Sequence, residues 1–303
     1  MTGTSVPRVV VLTRPTEYAA LLVRHGSREQ ARFFLGTRGR SIDEVEGRDA
    51  DHRAAVAQVS AAIPADWRRA RVTRSDLDRF LFEPLDLVVT VGPSGLVANV
   101  AKYLDGQPVI GFDPDGGRDG AVLASHHPIE AGSLIPAAAA GRAPIRERTM
   151  VEAALDDGQR VLALNEVFLG HASHQSARYM LRAADGSGAE RQSSSGIVVT
   201  TGTGATGWGR SISLERHTTL PMPAPDEAAL AWFVREAWPA PAFGTTQTEG
   251  RIASGETLEV TSELDEDGVV FGDGIESDRV PFGWGMVARV RVARERLRLV
   301  EGR

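Results

Sequence analysis

The chain has no cysteine among its 303 residues. That excludes disulfide staples, thiolate nucleophiles and cysteine-ligated metals, and leaves oxygen ligands for any metal. No apolar run reaches the roughly 18 residues that a membrane span needs, and no signal-peptide pattern opens the chain. A soluble, cytoplasmic protein without a membrane partner is expected. Basic charge is also short: 34 Lys and Arg face 40 Asp and Glu, for a formal net charge of -6. A nucleic-acid footprint is normally basic, so that class of partner is not expected. There is no internal repeat, and no low-complexity tract beyond Ala137 to Ala140. What remains is a chain with 42% hydrophobic residues, long enough to bury a full core and to form about two domains.

The first half alternates strands and helices. Val9 to Leu12 is a short apolar run of the central-strand type. Asp49 to Ile63 has helical spacing, with Ala54, Ala55, Val59, Ala62 and Ile63 for one face and Pro64 as its stop. Ala70 to Thr73 reads as a weaker strand, and Asp86 to Val91 as a buried one ending at Gly92. A helix from Leu96 to Leu104 and a strand from Pro108 to Phe112 complete a βαβ unit, which implies a parallel sheet. The second half reads as short strands between Gly, Asp and Pro: Val161 to Phe168, Ala177 to Ala183, Ile197 to Thr200, and an alternating tail that includes Leu258, Val260, Val269, Val270, Val287 to Val292, Leu297 and Leu299. That texture predicts a mostly antiparallel sheet. The seam falls between Ala137 and Arg148. Glu17 to Gly47 and Leu214 to Ala242 read least well, although Glu227 to Trp238 suggests a helix. The expected fold is therefore an α/β domain over residues 1–143, followed by a β-rich, nucleotide-binding domain over 144–303.

The richest segment runs from Ser193 to Trp208. The strand Ile197 to Thr200 enters a loop of glycines and threonines, Thr201-Gly202-Thr203-Gly204-Ala205-Thr206-Gly207. Glycine lets a backbone approach a phosphate closely, and threonine adds hydroxyls. Gly202, Gly204 and Gly207 spell G-x-G-x-x-G. A Rossmann site would need a helix and then a strand ending in an acidic residue roughly 20 residues on. Here Pro221, Pro223 and Pro225 intervene before Asp226 and Glu227. A phosphate or nucleotide loop of another kind, or a plain strand-to-helix turn, fits better. Trp208 after it either stacks on a base or fills the core.

Two further loops belong with it. Gly92-Pro93-Ser94-Gly95 follows a buried strand and opens a helix, so its N–H groups face an anion site. Asn165 and Glu166 end an apolar run, and a buried carboxylate and amide there need partners that a base or ribose can supply. In order and spacing the three loops resemble the ATP-dependent NAD kinases. That family has a strand followed by Gly-Gly-Asp-Gly, then an Asn-Glu pair, then a Thr-Pro-Thr-Gly-Ser-Thr-like loop. Asn165-Glu166 matches the pair. Thr201 to Thr206 matches the loop, with Gly202 for proline and Ala205 for serine. Phe271-Gly272-Asp273-Gly274 is similar to the family's late Asp-Gly turn. The resemblance covers roughly residues 85 to 280, on a divergent branch.

The resemblance implies binding of ATP, NAD and Mg2+ between two domains, with ATP-dependent phosphorylation of the adenosine ribose 2′-hydroxyl of NAD. Gly92, Gly95, Asn165, Glu166, Thr201, Gly202, Thr203, Gly204, Thr206 and Trp208 would bind nucleotide. It also implies a homo-oligomer. It fails at one position: the motif aspartate, which orients and deprotonates the hydroxyl, is replaced by Ser94. Asp113, Asp115 and Asp119, just past the next strand, are candidate substitutes, or else ordinary turn residues of Asp-Pro-Asp-Gly-Gly. No protein metal ligands are assigned; His171 and His174 form an H-x-x-H pair without an acidic partner at ligand spacing and read as loop histidines. Weak or redirected kinase activity, a pseudokinase that binds without transfer, and more remotely a Rossmann dehydrogenase are the open readings.

Overall fold

The computed structural model of the protein describes residues 6–114 and 122–301. The chain divides into two compact units, Met1–Arg146 with Arg298–Arg303, and Glu147–Leu297.

In the first unit the order is β1 (Val9–Thr13), α1 (Glu17–His25), α2 (Arg28–Gly36), α3 (Ile42–Ala61), β2 (Arg69–Thr73), β3 (Leu87–Val91), α4 (Ser94–Ala101), β4 (Pro108–Phe112) and α5 (Ala131–Ala139). The strands lie in the order β2-β1-β3-β4 and all run parallel. Every residue of β3 is buried, which is what an apolar, β-branched run between two helical layers requires. Val9, Val11, Val89, Val91, Ile110 and Phe112 form one core with α3 and α5. Helix α3 begins at Ile42, earlier than the expected Asp49, because its apolar positions are sparse near the start. Capping reveals it instead: Ser41 Oγ accepts from Asp43 N at 3.1 Å. Thr16 and Ser27 cap α1 and α2 in the same way, so the unreadable segment 17–47 is helical.

The second unit holds β5 (Ile145–Leu155), β6 (Arg160–Ala163), β7 (Glu166–His171), β8 (Ala177–Arg182), β9 (Ala189–Ser194), β10 (Ile197–Thr200), α6 (Trp208–Arg216), β11 (Ala229–Val234), β12 (Glu249–Ala253), β13 (Leu258–Ser262), β14 (Gly268–Gly272), β15 (Val280–Pro281) and β16 (Val287–Val300), two of which run past its ends. One antiparallel sheet has the order β12-β11-β10-β7-β14-β15. A second pairing runs β16-β13-β8-β9, also antiparallel. Val167, Leu169, Val199 and Trp232 of the first share a core with Tyr179, Leu181, Val260 and Val290 of the second.

Two expectations are corrected here. Glu227 to Trp238 is not a helix but contains β11, whose six residues are all buried. Leu230, Trp232 and Val234 enter one core and Ala231 and Phe233 another, so both faces are apolar and the period-2 signal vanishes. The run Val161 to Phe168 is not one strand: β6 stops at Ala163 and β7 starts at Glu166. The break falls on Leu164-Asn165, where the candidate site lies. Among the described residues, no helix is long and apolar enough to cross a membrane.

Candidate functional site

The Asn165-Glu166 turn is held by a residue more than a hundred positions away. Asp273 accepts from Leu164 N at 3.0 Å and from Asn165 N at 2.6 Å. Its own N–H donates back to Glu166 O at 3.0 Å. Asp273 has a φ of 53°, in the left-handed region that aspartate tolerates better than most residues. The glycine loop closes the turn from the other side. Thr201 N donates to Asn165 O at 2.9 Å, and Thr201 Oγ1 donates to Leu164 O at 2.6 Å. The same hydroxyl accepts from Thr203 N at 3.1 Å and Gly204 N at 3.2 Å. Asn165, Glu166, Thr201, Gly202, Thr203, Gly204 and Asp273 thus converge.

The loop's own hydrogen bonds and close packing occupy much of its backbone. The N–H groups of Thr203, Gly204, Ala205, Thr206 and Gly207 are all spent inside the loop. Close packing accounts for two of the glycines. A Cβ on Gly204 would overlap Asn165 O and lie 2.5 Å from Thr200 Oγ1; one on Gly202 would overlap the backbone of Ala224. Thr206 Oγ1 donates to Thr203 O at 2.9 Å, which leaves it no proton for a ligand.

Two groups are left over. Thr203 Oγ1 is buried without a hydrogen-bond partner. Glu166 is 8% exposed, and among the described residues no N–H or O–H serves its carboxyl. Burial raises its pKa to about 7, with the charge of Asp273 adding to the rise. The carboxyl oxygens are not among the fully buried unpartnered atoms, so they meet solvent at the tip of a largely buried side chain, and such perturbed groups concentrate at functional sites.

In the first unit, Gly92 and Gly95 flank Ser94 at the start of α4. Gly92 needs its φ of 148°, whereas a Cβ on Gly95 would meet open space. Ser94 Oγ accepts from Leu123 N at 3.1 Å and Ala124 N at 3.4 Å. It anchors the segment that runs beside β4, where Asp113 N bonds His126 O. Asp113 is 7% exposed at the end of β4; Asp115 and Asp119 lie outside the described residues. Ser94→Ala should leave two N–H groups without their acceptor and lower stability by about 1–2 kcal/mol, read by urea unfolding. An unchanged midpoint would deny Ser94 this anchoring task.

Trp208 stacks on Phe168, with ring centroids 5.8 Å apart. Among the described residues, no group of three or more His, Asp and Glu gathers as a metal cluster. Asp273 is the site residue whose task the sequence hid. Its Asp-Gly turn is visible there, but its bonds to Leu164 and Asn165 span more than a hundred residues.

No family model matches the chain, and no curated protein matches it by sequence. Among solved structures, the crystal structure of an NAD kinase from Archaeoglobus fulgidus in complex with ATP is similar to it. The match covers 97% of this chain and 93% of that one, at 16% identity and a TM-score of 0.57. At that identity the likeness is one of fold: an α/β unit and an antiparallel β unit in the NAD kinase-like arrangement of elements.

Proposed function

We propose that the protein is an NAD kinase-like phosphotransferase that binds nucleotides at the Asn165-Glu166 turn. The observation that carries this is Glu166, a largely buried side chain whose carboxyl has no described donor and whose backbone is clamped. A ribose hydroxyl supplies the missing hydrogen bond. Thr203 Oγ1 offers a second polar contact from the same loop, and the Asn165 side chain a third.

The chemistry follows from the same carboxyl. In phosphoryl transfer, the bond from the γ-phosphorus of ATP to its bridging oxygen breaks as one to the acceptor oxygen forms. ADP leaves, and the hydroxyl proton needs a base. A pKa near 7 suits Glu166 to take it at neutral pH. Ser94 does not suit: its oxygen already accepts two N–H bonds. Mg2+ carried in with ATP would offset the phosphate charge. The 2′-hydroxyl of the adenosine ribose of NAD is the acceptor that the family resemblance favours.

A second reading, nucleotide binding without transfer, draws on Ser94 standing where the family motif has aspartate. Calorimetry tests the part common to both. NAD should bind the natural chain, and Asn165→Ala and Glu166→Ala should each weaken it about tenfold or more, the worth of one good polar contact. Equal affinity in all three proteins would remove the turn from the site.

A further inference from the structure

The unit Glu147–Leu297 carries a cavity of about 360 Å3 that runs along β7 from Phe168, two residues from Glu166, to His171. Along the extended strand Phe168 lies roughly 7 Å from Glu166, and His171 roughly 16 Å. The floor of this cavity is aromatic. Phe168 and Trp208 stack with planes 16° apart, and Phe271 meets Phe168 at 5.0 Å between centroids. Phe168 occupies room that two glycines leave. A Cβ on Gly170 would lie 2.5 Å from its Cζ, and one on Gly196 would lie 2.6 Å from the same ring. The floor is therefore preset by the strand pair β7–β10 rather than formed by mobile side chains.

The rim is cationic. Arg235 lies over Trp208, 5.3 Å from the ring centre. Among the described residues its one ion pair is a 3.5 Å contact with exposed Glu236. Arg279 also lines the cavity, and among the described residues no carboxylate pairs with it. His171 Nδ1 accepts from Ser173 N at 3.0 Å, which puts the proton of the neutral ring on Nε2. Glu276 is the acid in the lining, and it is exposed. An apolar, ring-shaped floor beneath two guanidinium groups matches one ligand chemistry. A cation meets like charge, and an aliphatic anion leaves the floor unused. Arg235 also gains from a ring beneath it, as its position over Trp208 already illustrates. The volume falls in the range of small-molecule sites, roughly 300–1,000 Å3.

We propose that this cavity is a second ligand site, for a small aromatic anion: a planar ring bearing one carboxylate or phosphate, its ring on the aromatic floor and its charge between Arg235 and Arg279. The proposal does not depend on the nucleotide reading. The test is an NMR titration of the natural chain that follows the indole N–H signal of Trp208, assigned with Trp208→Phe. Benzoate and phenyl phosphate are the ligand probes. Inorganic phosphate and benzyl alcohol are the half-ligand controls. Both aromatic anions should shift the signal saturably with a Kd on the order of 1 mM, as befits ligands of about ten heavy atoms. Arg279→Gln, at an exposed position that leaves the fold intact, should weaken both at least about fivefold, as loss of one charged contact does. Each control should bind at least about tenfold more weakly than the whole ligand. No saturable shift of Trp208, equal binding by inorganic phosphate alone, or indifference to Arg279→Gln would overturn the proposal. So would displacement of phenyl phosphate by NAD, because the cavity would then be part of the nucleotide site.

Discussion

Glu166→Gln should stabilise the free protein at pH 8 by up to about 3 kcal/mol, while cutting phosphoryl transfer by a factor of about 10²–10⁴. The stability part follows from linkage. The carboxyl rises from 4.5 to about 7 on folding, so the folded state binds the proton more tightly than the unfolded one. Below pH 4.5 both states are protonated and nothing is lost. Between pH 4.5 and about 7 the folded state is progressively penalised, and above that the penalty is complete. Stability of the natural chain should fall as pH rises through this window, and the Gln variant should lack that fall. The activity part has the opposite dependence. A base must be charged, so transfer by the natural chain should rise as pH passes about 7. Urea unfolding from pH 5 to 8 and a pH–rate profile read the two halves. A Gln variant as active as the natural chain would strip Glu166 of the role of base.

Gly204→Val should destabilise the protein by about 3 kcal/mol or more, because the new side chain is forced into backbone. Asn165 O and Thr200 Oγ1 occupy the space it would need. Nucleotide binding would fall with the fold rather than instead of it. Gly95→Ala is the control: its Cβ meets nothing within 4 Å, and it lies in the first turn of α4. That change should be neutral or gain up to about 1 kcal/mol. Thermal or urea unfolding of both variants makes the comparison. A Gly204→Val protein as stable as the natural one, yet unable to bind nucleotide, would support the phosphate-cradle reading.

The parallel sheet was legible because its strands are short, apolar and separated by turn residues. Pro108 to Phe112 matches β4 residue for residue. Strand β11 was not legible, since both of its faces are buried and its apolar run lacks a period. Helices α1 to α3 were signalled by Thr16, Ser27 and Ser41 caps more than by apolar spacing. At the candidate site, the family resemblance grouped Asn165, Glu166 and the threonine-glycine loop, and the fold brings them together. The sequence did not reveal that Thr201 consumes the loop's N–H groups, nor that Asp273 clamps the turn. Both are hydrogen-bond assignments between segments far apart in the chain, and residue type alone leaves them open.

Incubation of the natural chain with ATP, Mg2+ and NAD, followed by assay for NADP, tests the central claim most directly. The account predicts NADP, formed in proportion to enzyme, with Glu166→Gln reducing the rate about a hundredfold or more. NAD that binds tightly yet yields no NADP at any pH from 6 to 9 would contradict it.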